Sequence, residues 1–445
     1  MHEQLTLSLT RTANERANTE ESASTGTLVI KANGRSMTEG IDTRENEVCD
    51  GPDVAGYYLA EWFVWNWWRL RWEPPVAPVG IRNIAKSIPA ERIRSWDFAH
   101  SLSTIGHGFD WPNITIGSDG FMTAVTCGPS AEPDAVSFRY VTREATEVVT
   151  AESLEHAIDA FVASVFQLLT NAKLRESNLH ALWADLQAER ADETTAYFRR
   201  LEARLGFDPD EVNEDLIKSY IDDAKAIGEG ALEEIAAHSS QRGAEVHMIR
   251  AAELEDIARS EGFKSSGKDA VQLSLEARNN VPQLGAVDAW KVGKAAAEQL
   301  RAQENLGLEP VQNKRLAQLA GTQPRAITTT DKHFKEFSFV INSDAKAAHV
   351  ALRSKWETGR RFDLARLIGD RLFPTGESLC PATRAHSYRQ KVQRAFAAHF
   401  LSPVQAIEEM LSDDDSEDGK QDIANHFLVS EQTVDNLVGD NLMAW

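Results

Sequence analysis

Five of the chain's eleven tryptophans fall between Trp62 and Trp72, in the stretch EWFVWNWWRLRWEPP. No other feature narrows the choice of fold so far, because each large aromatic side chain has roughly 150–250 Å² of surface to hide. Trp62, Trp65, Trp68 and Trp72 recur at helical spacing, with Trp67 off that line. The spacing predicts a helix whose indole stripe is core and whose end is set by the following EPP. The same residues beside Arg69 and Arg71 have the composition of a protein-binding hot spot. Trp62, Trp65, Arg69 and Trp72 are therefore candidate partner contacts.

Around this helix, residues 1–150 read as a mixed α/β domain. TLVIKA and AVSFRYV alternate apolar and polar residues as half-buried strands do, and NGRS, GSDG and CGPSAEPD separate the strand candidates as turns. Residues 151–305 read as helical. TAESLEHAIDAFVASVFQLL places Leu154, Ile158, Phe161, Val162, Val165 and Leu169 on one face, with Thr150 as N-cap. ALWADLQAERADETTAYFRRLEARLG runs to a stop at Gly206, and GFDPDE offers a fresh helix start at Asp208. Residues 306–445 return to short strands, FSFVIN and HVALR, followed by several helices; SDDDSEDGK is an acidic loop. The expected class is α+β.

Charge restricts the partners. A formal net charge of −21 repels phosphate, so nucleic-acid binding would need a local basic patch. Cys49, Cys127 and Cys380 form no CxxC pair, which argues against a disulfide framework or zinc knuckle. No apolar run approaches the roughly 18 residues of a membrane span, and the polar start lacks the layout of a signal peptide. The expectation is a cytoplasmic protein with no membrane partner.

The chemistry concentrates in RRFDLARLIGD and QKVQRAFAAHFLSP, which precede a tail, IANHFLVSEQTVDNL. In register and order these three segments resemble the ImmA/IrrE-like metallopeptidases, which carry an RRF-x-LAHELGH helix, a second helix supplying a further zinc ligand, and a small helical ending. The resemblance covers residues 306–445 and implies a zincin-like, mostly helical domain. It places Arg366 and Asp370 at the two histidine positions, Leu367 at the general-base position and Gln390 at the third ligand. A guanidinium has no free lone pair and stays protonated, and leucine accepts no proton. The peptidase chemistry is therefore not expected to carry over, and no cofactor is expected. Arg366 and Asp370, at i and i+4, are expected to pair in place of the metal, extended by the Gln390 amide. A remodelled metal site would have to draw on Asp370 with His386 or His399.

The resemblance implies a non-catalytic pseudoenzyme, a regulatory or scaffold protein bound to another protein, in a bacterial phage-defence, prophage or toxin–antitoxin setting. The alternatives are a DNA-associated regulator and, behind it, a hydrolase with a remodelled site. Arg360, Arg361, Arg371, Arg384, Arg389, Lys391 and Arg394 are the candidate anion or partner patch. The tail has helix-turn-helix spacing, but Glu431, Gln432, Asp435 and Asn436 would face outward on its second helix, offering acid where phosphate needs base. His100, His107 and Asp110 form a loose trio whose spacing fits packing better than catalysis.

Overall fold

The computed structural model describes residues 4–11, 18–76, 88–130, 137–240, 248–334, 336–344, 347–411 and 416–439. It is a mixed α+β protein with small antiparallel sheets and a helical C-terminal region. The chain divides near residue 214 into two compact units. The described residues up to Glu214, with Ser240, make the first; Asp215–Ser239 and the residues from Met248 on make the second. No helix among the described residues is long and apolar enough to cross a membrane.

In the first unit, strand Thr25–Ala32 pairs antiparallel with Leu5–Arg11, with Arg35–Ser36 and with Asp53–Ala55. Asn33 and Gly34, at φ 52° and 81°, make the tight turn that NGRS foretold. Met122–Cys127 pairs with both Ile114–Ser118 and Ala145–Thr150. The AVSFRYV segment supplies a strand at Phe138–Tyr140, its first residues lying outside the described ones.

The tryptophan helix spans Gly56–Trp72 and ends at Glu73, before the prolines. It packs against helices Ala151–Asn171, Asn178–Ala191 and Glu193–Leu205, which put the first part of the helical middle in this unit's core. Thr150 caps its helix by accepting from the Ser153 amide, and Gly206 ends the last of the three in a left-handed conformation at φ 83°. The helix expected to start at Asp208 begins instead at Glu214. Glu211 does accept from the Asp208 amide at 3.0 Å, as a capping box requires, but the Asp208 side chain accepts from Arg69, and Asp210 turns left-handed and pairs with Arg199.

In the second unit, a sheet runs in the order Phe263–Ser265, Ala347–Ala351, Ser338–Asp344, Leu379–Ala382, all antiparallel. Helix Glu357–Arg371 lies against it and against helix Tyr388–Leu401, which in turn packs along Ala289–Gln303. Two glycines permit the close crossings. A Cβ on Gly369 would sit 2.6 Å from the Phe396 ring, and one on Gly293 would sit 2.6 Å from the Val392 carbonyl. The tail forms helices Glu417–Phe427 and Glu431–Val438, joined at a left-handed Leu428. The first four residues of the acidic loop lie outside the described residues; Ser416 onward caps and begins a helix.

Candidate functional site

Helices Glu357–Arg371 and Tyr388–Leu401 face each other across a buried polar knot. The RRFDLARLIGD segment folds as a helix whose residues are almost all interior, because Leu364, Ala365, Leu367 and Ile368 complete one core face. The polar positions are then trapped beside them: Arg366 is 6% exposed, Asp370 7% and Gln390 fully buried. Leu367, 1% exposed, is a plain member of the hydrophobic cluster.

Arg366 does not hydrogen-bond Asp370. Its guanidinium donates 2.7 Å to the Thr383 carbonyl and 2.6 Å to Gln390 Oε1, with Gln393 Oε1 at 3.4 Å. Asp370 takes a fork of two bonds from Arg389, each 2.8 Å, and a third of 2.8 Å from the Gln393 amide. The i, i+4 geometry permitted the expected pair, but the facing helix supplies better partners for both ends. The planar guanidinium of Arg389 matches both carboxylate oxygens at once. Gln393 bridges the two halves, and its amide also donates to the Pro381 carbonyl at 3.0 Å. Gln390 completes the set, donating to Pro381 and accepting from the Thr383 amide at 2.8 Å.

The electrostatics follow from burial and pairing. Burial opposes ionisation of Asp370, but Arg389 outweighs it and holds the carboxyl below the usual carboxylate range. Arg366, with no carboxylate in hydrogen-bond contact, is lowered by burial to about 10 and stays cationic at neutral pH. Burial pushes the Cys380 thiol, beside Asp370, up to about 12, so it is a thiol and not a thiolate ligand. A shallow cavity of about 170 Å³ opens beside Asp370, Arg371, Glu377 and Cys380.

These residues do not fit a zinc ion. Of the positions that the resemblance assigns to ligands, Arg366 is a cation, Asp370 accepts three hydrogen bonds, and the Gln390 amide is committed on both atoms. Among the described residues no group of three or more His, Cys, Asp or Glu is arranged to hold a metal. His399 is buried and His386 half-buried, and desolvation lowers the pKa of both, to about 4 for His399.

The basic residues grouped by sequence as an anion or partner patch are placed from the interior to the surface, most of them bonded within the fold. Arg360 and Arg361 are fully buried: Arg360 donates to the carbonyls of Ala326, Lys332 and Ser354, and Arg361 to those of Val311, Phe427 and Leu428 and to Asn313 Oδ1. Arg371 holds the Ala320 carbonyl, Arg394 that of Ala385, and Arg389 the knot and Glu377. Of the set, Arg371, Arg389, Lys391 and Arg394 are half-buried and Arg384 is exposed. These arginines act as internal clamps on chain segments that lack a ladder of their own.

The first unit has a second buried knot, which composition and spacing did not single out. Glu73, the residue after the tryptophan helix, is fully buried and accepts from Arg69 at 2.6 Å, from Arg92 and from His100 Nε2 at 3.1 Å. Burial opposes its charge, but Arg92 and Arg69 drive its pKa far below the usual range. Arg69 is thus interior, as are Trp62, Trp67 and Trp68; Trp72 is half-buried with Arg71 stacked on it, and Trp65 is 57% exposed. His100, His107 and Asp110 do separate jobs: His100 binds Glu73, His107 stacks on Tyr58, and Asp110 accepts from the Ser137 and Phe138 amides. The signal for the Glu73 knot was a lone acid directly following an aromatic helix, with no solvated neighbour in sequence. Set against family models, curated proteins and solved structures, the chain matches none of them.

Proposed function

We propose that residues 306–445 form a degenerate ImmA/IrrE-like domain in which a hydrogen-bonded knot stands where that family holds zinc. On this reading the protein works as a regulatory or scaffold partner of another protein, in a bacterial phage-defence, prophage or toxin–antitoxin setting. One observation supports it above the rest: Asp370 accepts three hydrogen bonds from Arg389 and Gln393 while Arg366 is tied to Gln390 and Thr383. Such an arrangement holds two helices together, and a carboxylate so paired with a guanidinium is a poor base for hydrolysis.

The DNA-associated alternative draws less support, because most of the arginines that would serve it hold backbone carbonyls. A peptidase assay decides between scaffold and hydrolase. Purified protein incubated with unfolded casein and with mixed peptides is expected to leave them intact; cleavage that a chelator abolishes would overturn the reading.

A further inference from the structure

Where the chain leaves the first unit, three carboxylates converge on one guanidinium. Arg199 donates 2.7 Å to Glu189 Oε1, 2.9 Å to Glu202 Oε2, and 2.8 and 2.9 Å to the two oxygens of Asp210. The acids come from different elements: Glu189 from the end of helix Asn178–Ala191, Glu202 from helix Glu193–Leu205, and left-handed Asp210 from the loop after Gly206. Glu202 also accepts from the Asp210 amide at 3.1 Å, so it holds that loop directly as well as through Arg199.

The charges at this corner do not balance. Among the described residues Arg199 is the one ion-pair partner of Glu202. The elements packed against helix Glu193–Leu205 are the tryptophan helix and helix Asn178–Ala191, and their cations are engaged elsewhere. Arg69 holds Glu73 and Asp208, Arg71 holds Glu155 and the Gly120 carbonyl, and Arg190 pairs with Asp159 and Glu155. Arg92, from helix Ala90–His100, is spent on Glu73 and the Gly206 carbonyl. On the same helix as Glu202, Arg200 and Arg204 lie over the Trp72 ring.

Water decides which acid gives up its charge. The Asp210 side chain is 80% exposed and that of Glu189 23%, while that of Glu202 is 1% exposed. An exposed carboxylate keeps its hydration, whereas a buried one must be balanced by a neighbour or take up a proton. The bond from Arg199 holds Asp210 below the usual carboxylate range. Burial pushes Glu202 the other way, up to about 7, against the pull of the same guanidinium.

We propose that Glu202 is a proton-operated clasp on segment 206–210, fastened when its carboxyl is protonated and loosened when its charge sets a third anion on Arg199. That segment leads the chain out of the first unit at Glu214, so the firmness of the exit responds to pH near neutrality. The folded state keeps a proton that the unfolded chain releases above about 4.3. The clasp's contribution is therefore fully present below that value and is lost as pH rises through about 7.

The test is urea unfolding of the full chain at about pH 5.5 and about pH 8.5, read by tryptophan fluorescence, for wild type, Glu202→Gln and Asp210→Asn. Between the two conditions the folded-to-unfolded ratio of the wild type should fall about tenfold or more relative to that of Glu202→Gln. A constant offset from the acceptor that glutamine lacks leaves this difference untouched. Asp210→Asn sits at an exposed side chain in a left-handed conformation that asparagine also adopts. It removes one anion and frees Arg199 for Glu202, so its ratio should fall less than that of the wild type. If Glu202→Gln does not fold, Asp210→Asn decides. Parallel profiles of wild type and Glu202→Gln, a wild type that gains on Glu202→Gln as pH rises, or an Asp210→Asn profile as steep as the wild type's would each overturn the proposal.

Discussion

Replacing Asp370 by alanine gives the sharpest view of the polar knot. The substitution removes three hydrogen bonds of 2.8 Å and strands Arg389, whose side chain is 19% exposed, opposite an apolar gap. Breaking one half of a buried ion pair costs about 3–5 kcal/mol. Arg389 keeps its 2.7 Å bond to Glu377, which favours the lower part of that range. For a unit of this size each kcal/mol moves the melting midpoint by about 2–4 °C, so Asp370→Ala should lower it by about 6–16 °C. The measurement is thermal and urea unfolding followed by circular dichroism, for the wild type, Asp370→Ala, Asp370→Leu, Arg389→Met and the Asp370→Leu/Arg389→Met double variant. Removing both charges together should restore most of the loss, since the penalty is that of an unpaired buried charge. Because the folded Asp370 carboxyl is depressed, its contribution is fully present above the unfolded carboxylate pKa of about 3.9 and fades as pH falls through the lower folded value. The gap between wild type and Asp370→Ala should therefore be constant near neutrality and shrink in acid. A loss below about 1 kcal/mol, or single losses that simply add in the double variant, would refute the reasoning.

Two further expectations follow. Glu73→Gln, at a fully buried carboxylate held by Arg69, Arg92 and His100, should destabilise the first unit by about 3–5 kcal/mol, seen as an earlier urea transition; a change below about 1 kcal/mol would show that its three partners do not depend on it. Gly369→Ala should cost about 1–3 kcal/mol, because the new methyl meets the Phe396 ring at 2.6 Å; an unchanged melting midpoint would show that the crossing of the two helices has room to give.

The parts of this fold that were legible in the sequence are those decided locally. Thr150 caps its helix and Gly206 stops another because a side-chain oxygen and a missing Cβ act within one helical turn. The tryptophan helix was legible from spacing, and so was its end at Glu73. What was hidden depends on partners distant in sequence. Asp208 and Glu211 carry the signature of a helix start, yet Arg69 claims Asp208 from 139 positions away. Arg366 and Asp370 could meet by helical geometry, yet Gln390, Gln393 and Arg389 on the opposite helix offer closer fits than either offers the other. The arginines read as a surface patch because composition gives charge but not direction; Arg361 shows how readily a guanidinium with five donors is used up on acceptors inside. Trp65 alone of the stripe turns outward to 57% exposure, a consequence of which helices happen to flank it.

Elemental analysis of the purified protein, after incubation with excess zinc and dialysis, bears most directly on whether the knot between the two helices has taken the metal's place. Retention well below one equivalent of any transition metal is the expected result, with no change in melting midpoint on adding a chelator. About one equivalent of tightly held zinc, lost on Asp370→Ala or Gln390→Ala, would contradict it.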